Sequence, residues 1–296
     1  MYLQYQGGWA VRFTTPTVYL LAPRDDYADA EGVKEFLQAV GATGWETSEC
    51  SDGEMLIEIA GKTCYRSFNL DVNPNLTKVT EADNRKYIGR SILSHRHGSV
   101  LEHVNVTLAF VDVSRIFTHE VVRHRHLSPS QESLRFVRLT DLSAYFPMAF
   151  QQPFLDEVKE HLEMQGVDTS RFPSEKNLRH QFQYVFKYLE EVQQHLGNIL
   201  CLDQLDNFHG KKVLTSAMRR LAPEGLGTVI VLTGNLRTWR HVIELRTAVG
   251  AEEEIRLVFG RVYTLLAERF PHVFQDAVEV RCDDGLLQVI FQHGRV

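Results

Sequence analysis

The segment RHRHLSPSQES, residues 123–133, joins two arginines and two histidines to a run rich in hydroxyl groups. Together with Arg135, it offers many hydrogen-bond donors and few unpaired negative charges. A phosphate, or a uracil-like ring with carbonyl acceptors, needs such a donor set. The alternative is a solvated helix end whose arginines pair with Glu120 and Glu132. The donors behind the binding hypothesis are Arg123, Arg125, Ser128, Ser130, Ser133 and Arg135.

A second group of polar side chains lies on a predicted helix, residues 236–248, within the sequence GNLRTWRHVIELR. At about 100° per residue, Arg237 and His241 share one face, whereas Arg246 lies nearly opposite Arg237 and roughly 13 Å further along the axis. A surface helix with ordinary charges is the alternative. However, apolar residues spread around the helix indicate burial on several sides, where unpaired arginines are costly. We therefore expect this helix to serve two ligand sites.

Histidines are frequent between residues 95 and 126, which raises the question of a metal site. His119 and His124 lie about 140° apart around a helix, too far to share one ion. The position four residues after His119, where a second ligand belongs, is Arg123, whose guanidinium repels a cation. We therefore expect no metal.

The four cysteines are far apart and contain no CxxC pair; they are Cys50, Cys64, Cys201 and Cys282. We expect reduced thiols in a cytoplasmic protein, and none has neighbours that would activate a catalytic thiolate. The N-terminus lacks the apolar stretch of a signal peptide, and no run approaches the roughly 18 to 20 apolar residues that span a bilayer. Neither export nor a membrane partner is expected.

The composition is that of a globular protein, with 296 residues of which 44% are hydrophobic. There are 32 Lys and Arg against 38 Asp and Glu, which gives a net charge of -6. This balance disfavours a sequence-independent grip on a nucleic acid, because such binding depends on a broad positive field. An anionic ligand is therefore expected to be small and to be bound by local arginines.

The elements that carry these residues follow from hydrophobic periodicity. Period-two alternation from His103 to Phe110 predicts a strand, and Ser114 is placed to cap the next helix. That helix is expected to end near His126 or Leu127, because Pro129 disfavours helical geometry before it. Asn235 is expected to cap the helix 236–248. Other predicted elements are a strand at 17–23, helices at 53–66, 80–95 and 210–221, and a strand at 228–233.

Two apolar stripes are expected to face the core, because their residues recur every three or four positions. The first follows Ser174 and comprises Leu178, Phe182, Val185, Leu189, Val192 and Leu196. The second comprises Ile255, Val258, Phe259, Val262, Leu265 and Leu266.

The RHR triplet, followed after seven residues by Ser133, resembles the signature motif of the flavin-dependent thymidylate synthases. Five more segments resemble other motifs of that family in order and spacing: CYRS, HGSVLEH, MRRLAP, GNLRTWRHVIELR and EIR. The resemblance covers about residues 55–260. It implies the family's α/β (α+β) fold, with flanking helices around a central sheet that contains antiparallel strands. It also implies one domain over residues 1–296, with a core at about 55–274.

The resemblance implies the reductive methylation of dUMP to dTMP. Methylenetetrahydrofolate would give the carbon, FAD would carry the hydride, and NADPH would reduce the flavin. The implied assembly is a homotetramer whose active sites form where subunits meet. FAD is assigned to His97, Ser99, Glu102, Arg123, His124, Arg125, Asn235, Arg237 and His241. The substrate dUMP is assigned to Glu120, Arg123, Gln131, Glu132, Ser133, Arg135, Arg219 and Arg246. Arg246 and Ser133 are the catalytic candidates, with Ser133 expected to hydrogen-bond the substrate rather than attack it.

Several positions depart from the commonest family pattern. Gln131, Glu120 and His241 replace other polar residues and keep hydrogen-bonding capacity. Gly250 stands where a histidine often precedes EIR, and Phe136 stands where tyrosine is usual. Two alternatives stay open: a flavin- and folate-dependent uracil methyltransferase acting on RNA, and a nucleotide-binding homologue without catalysis.

Overall fold

The computed structural model describes residues 12–23, 27–68, 83–135 and 143–294. The α-helices are α1 Ala30–Ala39, α2 Asp52–Tyr65, α3 Asn84–Tyr87, α4 Arg115–Val121, α5 Gln152–Met164, α6 Glu175–Ile199, α7 Phe208–Met218, α8 Leu236–Thr247 and α9 Glu253–Arg269. The strands are β1 Arg12–Thr14, β2 Thr17–Ala22, β3 Asn105–Ser114, β4 Ser128–Gln131, β5 Ser143–Tyr145, β6 Gly227–Asn235, β7 Ala277–Arg281 and β8 Leu287–Phe291. A π-helix, Ile88–Ser94, continues α3, and a 3₁₀-helix spans Gly98–His103.

The strands form one larger and two small sheets. The larger sheet has the order β2-β3-β6-β4. Strands β1 and β5 pair in parallel, and β7 and β8 pair antiparallel. The mixed helix-and-sheet class predicted from the sequence, with antiparallel pairing present, is confirmed. Part of the predicted helix 80–95, residues 80–82, lies outside the described residues.

The chain divides into two compact units. The first unit comprises the described parts of residues 1–17, 110–123 and 130–230. The second comprises the described parts of 18–109, 124–129 and 231–296. The boundary cuts all four strands of the larger sheet, β2, β3, β4 and β6, so each of these strands begins in one unit and ends in the other. A single domain over the whole chain stays a prediction.

The second unit is built around helices α8 and α9. The predicted stripe on α9 is confirmed: Ile255, Val258, Phe259, Val262 and Leu266 are buried, and Leu265 is half-buried. On α8, the fully buried Trp239 donates its indole N–H to the carbonyl oxygens of Val106 (3.2 Å) and Gly234 (3.0 Å). The helix is thereby tied to the second-unit ends of β3 and β6.

The first unit differs from expectation at the long helix α6. Ser174 caps it as predicted, because its hydroxyl accepts from the backbone N–H of Asn177. The predicted core-facing stripe is confirmed only in part: Phe182 packs against a buried cluster that includes Phe186, whereas the other residues are half-buried except Val185, which is 48% exposed. The buried residues of α6 are Phe186, Glu190 and Gln193. Periodicity identifies an apolar face on a helix, but it does not say whether the same chain covers that face.

Candidate active site

The second unit brings two of the sequence motifs together through an ion pair. Glu102, near the end of the 3₁₀-helix, accepts a 2.6 Å hydrogen bond from Nη1 of Arg237 on α8. Both side chains are nearly half exposed, at 46% and 44%. The contact therefore joins the HGSVLEH and GNLRTWRHVIELR segments and leaves both groups open to solvent.

The start of α8 is as predicted. The side chain of Asn235 accepts a 2.8 Å hydrogen bond from the backbone N–H of Thr238, which caps the helix. The helix ends at Thr247, one residue before the predicted end. Arg237 and His241 are one turn apart, and both are exposed. This part of α8 can present a guanidinium and an imidazole to a single ligand.

The HGSVLEH segment adds exposed groups to the same unit. The ring of His97 lies 6.3 Å from that of His95 in a stacked arrangement and 6.3 Å from that of Tyr65 in an edge arrangement. Ser99 follows on the exposed side of the 3₁₀-helix. Flat rings and a hydroxyl at the surface are suited to an aromatic ligand with polar edges.

The second unit also joins α8 to the RHR triplet. Nε of Arg246 donates a 2.8 Å hydrogen bond to Nε2 of His124, across 122 residues of sequence. Because Nε2 accepts, the neutral imidazole carries its proton on Nδ1. Both side chains are half-buried. The contact fixes the direction of the Arg246 guanidinium.

Helix α4 is shorter than predicted. Ser114 caps it as expected, by accepting from the backbone N–H of Phe117. The helix ends at Val121, and not near His126, because a turn closed by a hydrogen bond from the N–H of Leu127 to the carbonyl of His124 leads into β4. Arg123 and Arg125 are therefore exposed turn residues rather than the last turn of a helix.

In the first unit, β4 and the residues after it hold two predicted nucleotide ligands. Gln131 donates its amide to the hydroxyl of Thr118 on α4, at 3.1 Å. The backbone N–H of Glu132 donates to the carbonyl of Val229 at 2.9 Å, and its carboxylate accepts from Thr228 at 3.4 Å. Both side chains are half-buried and fixed by the scaffold.

Other predicted nucleotide ligands lie nearby in the chain. Nε of Arg135 donates to the hydroxyl of Ser216 at 2.9 Å, and its backbone N–H donates to the hydroxyl of Ser133 at 3.4 Å. The hydroxyl of Ser133 thus accepts a backbone hydrogen bond. Arg219 is exposed on a single 3₁₀ turn after α7, and Glu120 is half-buried on α4. Phe136 lies outside the described residues.

The sequence interpretation missed one arginine of the first unit, Arg115. Its Nη2 donates to the backbone carbonyl of Glu132 at 3.5 Å. Burial lowers the pKa of Arg115. The positive charge of Arg219 lowers this pKa further, whereas the negative charge of Glu132 raises it. Two guanidinium groups therefore act on one another beside a single carboxylate. The sequence feature that could have identified Arg115 is its position directly after Ser114, the helix cap. An arginine in the first turn is unusual, because its charge lies at the positive end of the helix dipole.

One of the four cysteines, Cys50, lies near three carboxylates. Burial, and then the carboxylates of Glu54, Glu58 and Asp52, raise the pKa of the Cys50 thiol to about 12. The described residues contain no group of three His, Cys, Asp or Glu side chains that could hold a metal ion. Within the same residues, no helix has the length and apolar character required to cross a membrane.

Comparisons with known proteins identify the family of this chain. A family model described as thymidylate synthase complementing protein matches residues 47–272. The flavin-dependent thymidylate synthase of Corynebacterium aurimucosum is 35% identical over 242 residues, 81% of this chain and 87% of that relative. The Mycobacterium tuberculosis enzyme of the same name is 32% identical over 239 residues, 81% of this chain and 85% of that relative.

A solved structure shares the fold. It is a UMP/dUMP methylase, PolB from Streptomyces cacaoi bound with 5-Br UMP, with a TM-score of 0.56 and 19% identity. The likeness covers 90% of this chain and 94% of that one.

The family model spans well over half of the sequence, and the relatives exceed 30% identity over most of it. The chain therefore belongs to the thymidylate synthase complementing protein family, the family of the flavin-dependent thymidylate synthases.

Proposed function

We propose that this chain methylates dUMP reductively to dTMP, with methylenetetrahydrofolate as the carbon donor and NADPH as the reductant of a bound FAD. The observation that carries the proposal is the Arg246–His124 hydrogen bond of 2.8 Å. It places a fixed guanidinium on the same helix as Arg237 and His241, beside the RHR triplet. The names of the relatives support the reaction and the flavin.

The donor set of the second unit fits FAD. Its exposed groups combine two guanidinium groups, Arg237 and Arg125, with the imidazole of His241 and the hydroxyl of Ser99. Guanidinium groups suit a pyrophosphate, and the rings of the HGSVLEH segment suit a planar heterocycle. We assign FAD to His97, Ser99, Glu102, Arg123, His124, Arg125, Asn235, Arg237 and His241. When bound, FAD supplies the hydride.

The nucleotide is assigned to the remaining ligands. They are Glu120, Arg123, Gln131, Glu132, Ser133, Arg135, Arg219 and Arg246. In this assignment, Arg246 donates to a uracil carbonyl oxygen, and Arg135 and Arg219 balance the charge of the phosphate. A guanidinium beside the ring draws electron density from it and stabilises negative charge as it develops. No covalent attachment through a cysteine is then needed, which suits the raised pKa of Cys50.

We further propose a homotetramer with active sites where subunits meet. The proposal is supported by the apolar surface of α6, where Tyr184, Val185 and Tyr188 are 44%, 48% and 55% exposed. Such a surface is typical of an interface between subunits. Light scattering at micromolar concentration should give a mass above that of the monomer. A monomeric mass in an active preparation would contradict shared sites.

The test of the flavin assignment is spectroscopic. Purified protein should quench FAD fluorescence on titration, and the yellow absorbance of the complex should bleach anaerobically when NADPH is added. Protein that stays colourless and leaves FAD fluorescence unchanged would refute the proposal. Methylation of UMP should be measured beside that of dUMP, because the structural neighbour PolB is named for both substrates. Equal use of UMP would replace the proposed substrate by uridylates in general.

A further inference from the structure

The residues after position 272, which the family model does not cover, form an ordered hairpin. Strands β7 and β8 pair antiparallel, with Val278 opposite Ile290 and Glu279 opposite Val289. Leu286, Val289 and Phe291 are buried. The hairpin therefore belongs to the core of the second unit and is more than a surface appendage.

One face of α8 binds this hairpin along the length of the helix. Arg240, Glu244 and Thr247 recur at spacings of four and three residues, so they share a face. Arg240 pairs with Asp276, just before the hairpin. The carboxylate of Glu244 accepts from the backbone N–H of Phe291 at 3.1 Å. The hydroxyl of Thr247 accepts from the backbone N–H of Val289 at 3.0 Å.

The Arg240–Asp276 pair is the centre of this contact. Nη1 and Nη2 of Arg240 donate to the two carboxylate oxygens of Asp276 at 2.8 and 3.0 Å, and Nη1 also donates to the carbonyl of Val273 at 2.5 Å. Asp276 in turn accepts from the backbone N–H of His293 at 3.1 Å. The guanidinium lies 4.0 Å above the ring of Phe291. Both charged side chains are buried, with exposures of 4% and 6%.

The ligand-type residues lie on the other faces of the same helix. At about 100° per residue, Arg237 and His241 lie on one flank of the hairpin-binding face, and Arg246 lies on the other. Turning α8 about its axis would move both flanks at once. A bidentate pair is directional, whereas apolar packing tolerates rotation and sliding. A buried pair of this kind contributes specificity of placement more than net stability.

We propose that Arg240 and Asp276 are positioning residues, which fix the rotation of α8 and so direct Arg237 and His241 towards the flavin and Arg246 towards the nucleotide. This proposal rests on the proposed function, because that function assigns the ligand-binding roles to Arg237, His241 and Arg246 of α8. Neither residue belongs to the proposed FAD set or the proposed dUMP set. Their effect passes through the helix, so loss of the pair should weaken both ligands together.

The test compares two identical substitutions, one just before the hairpin and one in the turn between its strands. Asp276→Asn breaks the charged tie to α8. Asp284→Asn is the matched control, because Asp284 pairs with the buried Arg256 of α9 instead. The measurements are the Kd for FAD by fluorescence, the Kd for dUMP by calorimetry, KM and kcat, and hydrogen exchange of the α8 amides.

Asp276→Asn should raise the Kd for FAD and the KM for dUMP by about tenfold each, since displacing a ligand group by about 1 Å costs up to about a hundredfold. Exchange of the α8 amides should accelerate. Asp284→Asn should leave all of these within about twofold of wild type. If Asp276→Asn does not fold, Arg240→Lys keeps the charge but loses the fork, and it should weaken both ligands in the same direction.

Three outcomes would overturn the proposal. Equal losses in the two variants would mean that the hairpin acts only through general stability. Faster exchange of α8 without weaker ligands would mean that its rotation does not matter. Loss of one ligand alone would contradict coupling through the helix. Measurements on the wild-type protein distinguish this proposal from the proposed function. If the wild-type protein binds both ligands but forms no dTMP, the proposed function is wrong. The ligand affinities and the hydrogen exchange of the α8 amides in the variants then still test the positioning proposal. Failure to bind either ligand would contradict both.

Discussion

Replacing Arg246 by lysine is a sharp test of the nucleotide site. The change keeps the positive charge but removes the planar fork and the 2.8 Å bond to Nε2 of His124. A hydrogen bond from a charged donor contributes about 1.5 to 3 kcal/mol. Loss of one preorganised donor at a reacting centre costs about 3 to 4 kcal/mol. Since the side chain is half-buried, the lower end applies, and dTMP formation should fall by about a hundredfold.

The assay measures dTMP formation and, separately, FAD affinity by fluorescence. The control is Arg237→Lys, which makes the same change on the same helix within the proposed flavin set. Arg246→Lys should lower turnover by a much larger factor than it weakens FAD, which it affects only through the lost bond to His124. Arg237→Lys should weaken FAD, because an ammonium cannot reproduce the planar contact. Near-normal methylation in Arg246→Lys, or an equal loss of FAD binding in both variants, would refute the division of roles along α8.

Three further predictions concern other parts of the chain. Cys50→Ala should leave dUMP methylation measurable, because burial raises the thiol pKa to about 12 and leaves no thiolate at neutral pH; abolished turnover with intact flavin content would contradict direct transfer. Lys62→Met should lower the free energy of unfolding by about 3 to 5 kcal/mol, because it leaves Glu58, its partner at 3.5 Å, buried without a cation. The double variant with Lys62→Met and Glu58→Gln should regain most of the lost free energy of unfolding in denaturant titrations. No recovery would mean that Lys62 stabilises the fold through packing alone. Asn235→Ala should cost about 1 kcal/mol by loss of the α8 cap, whereas Asn235→Asp should cost less; an equal cost would exclude capping as the cause.

The parts of the fold that local chemistry decides were predictable. Ser114 and Asn235 cap their helices as expected, because a cap needs only a short polar side chain and the following backbone N–H groups. The stripe on α9 was predictable because α9 is buried within its own unit. The stripe on α6 was predictable only in part, because periodicity identifies an apolar face but not how deeply each residue of it is buried.

The contacts that shape the candidate site were beyond prediction from sequence. His124 and Arg246 are 122 residues apart, and nothing in either segment shows that they meet. The end of α4 was misjudged because the chain turns at His124 to reach β4, which is a long-range requirement of the sheet rather than a property of Pro129. The motif resemblance identified the ligand-type residues, but the hydrogen bonds that orient them are tertiary.

The central claim is that this chain transfers a methylene carbon to dUMP by means of FAD and NADPH. The most direct measurement is mass spectrometry of the nucleotide after incubation with dUMP, ¹³C-methylene-labelled methylenetetrahydrofolate and NADPH, with and without FAD. We expect labelled dTMP that forms only when FAD and NADPH are both present. Labelled dTMP in the absence of flavin, or no dTMP from protein that binds FAD and dUMP, would contradict it.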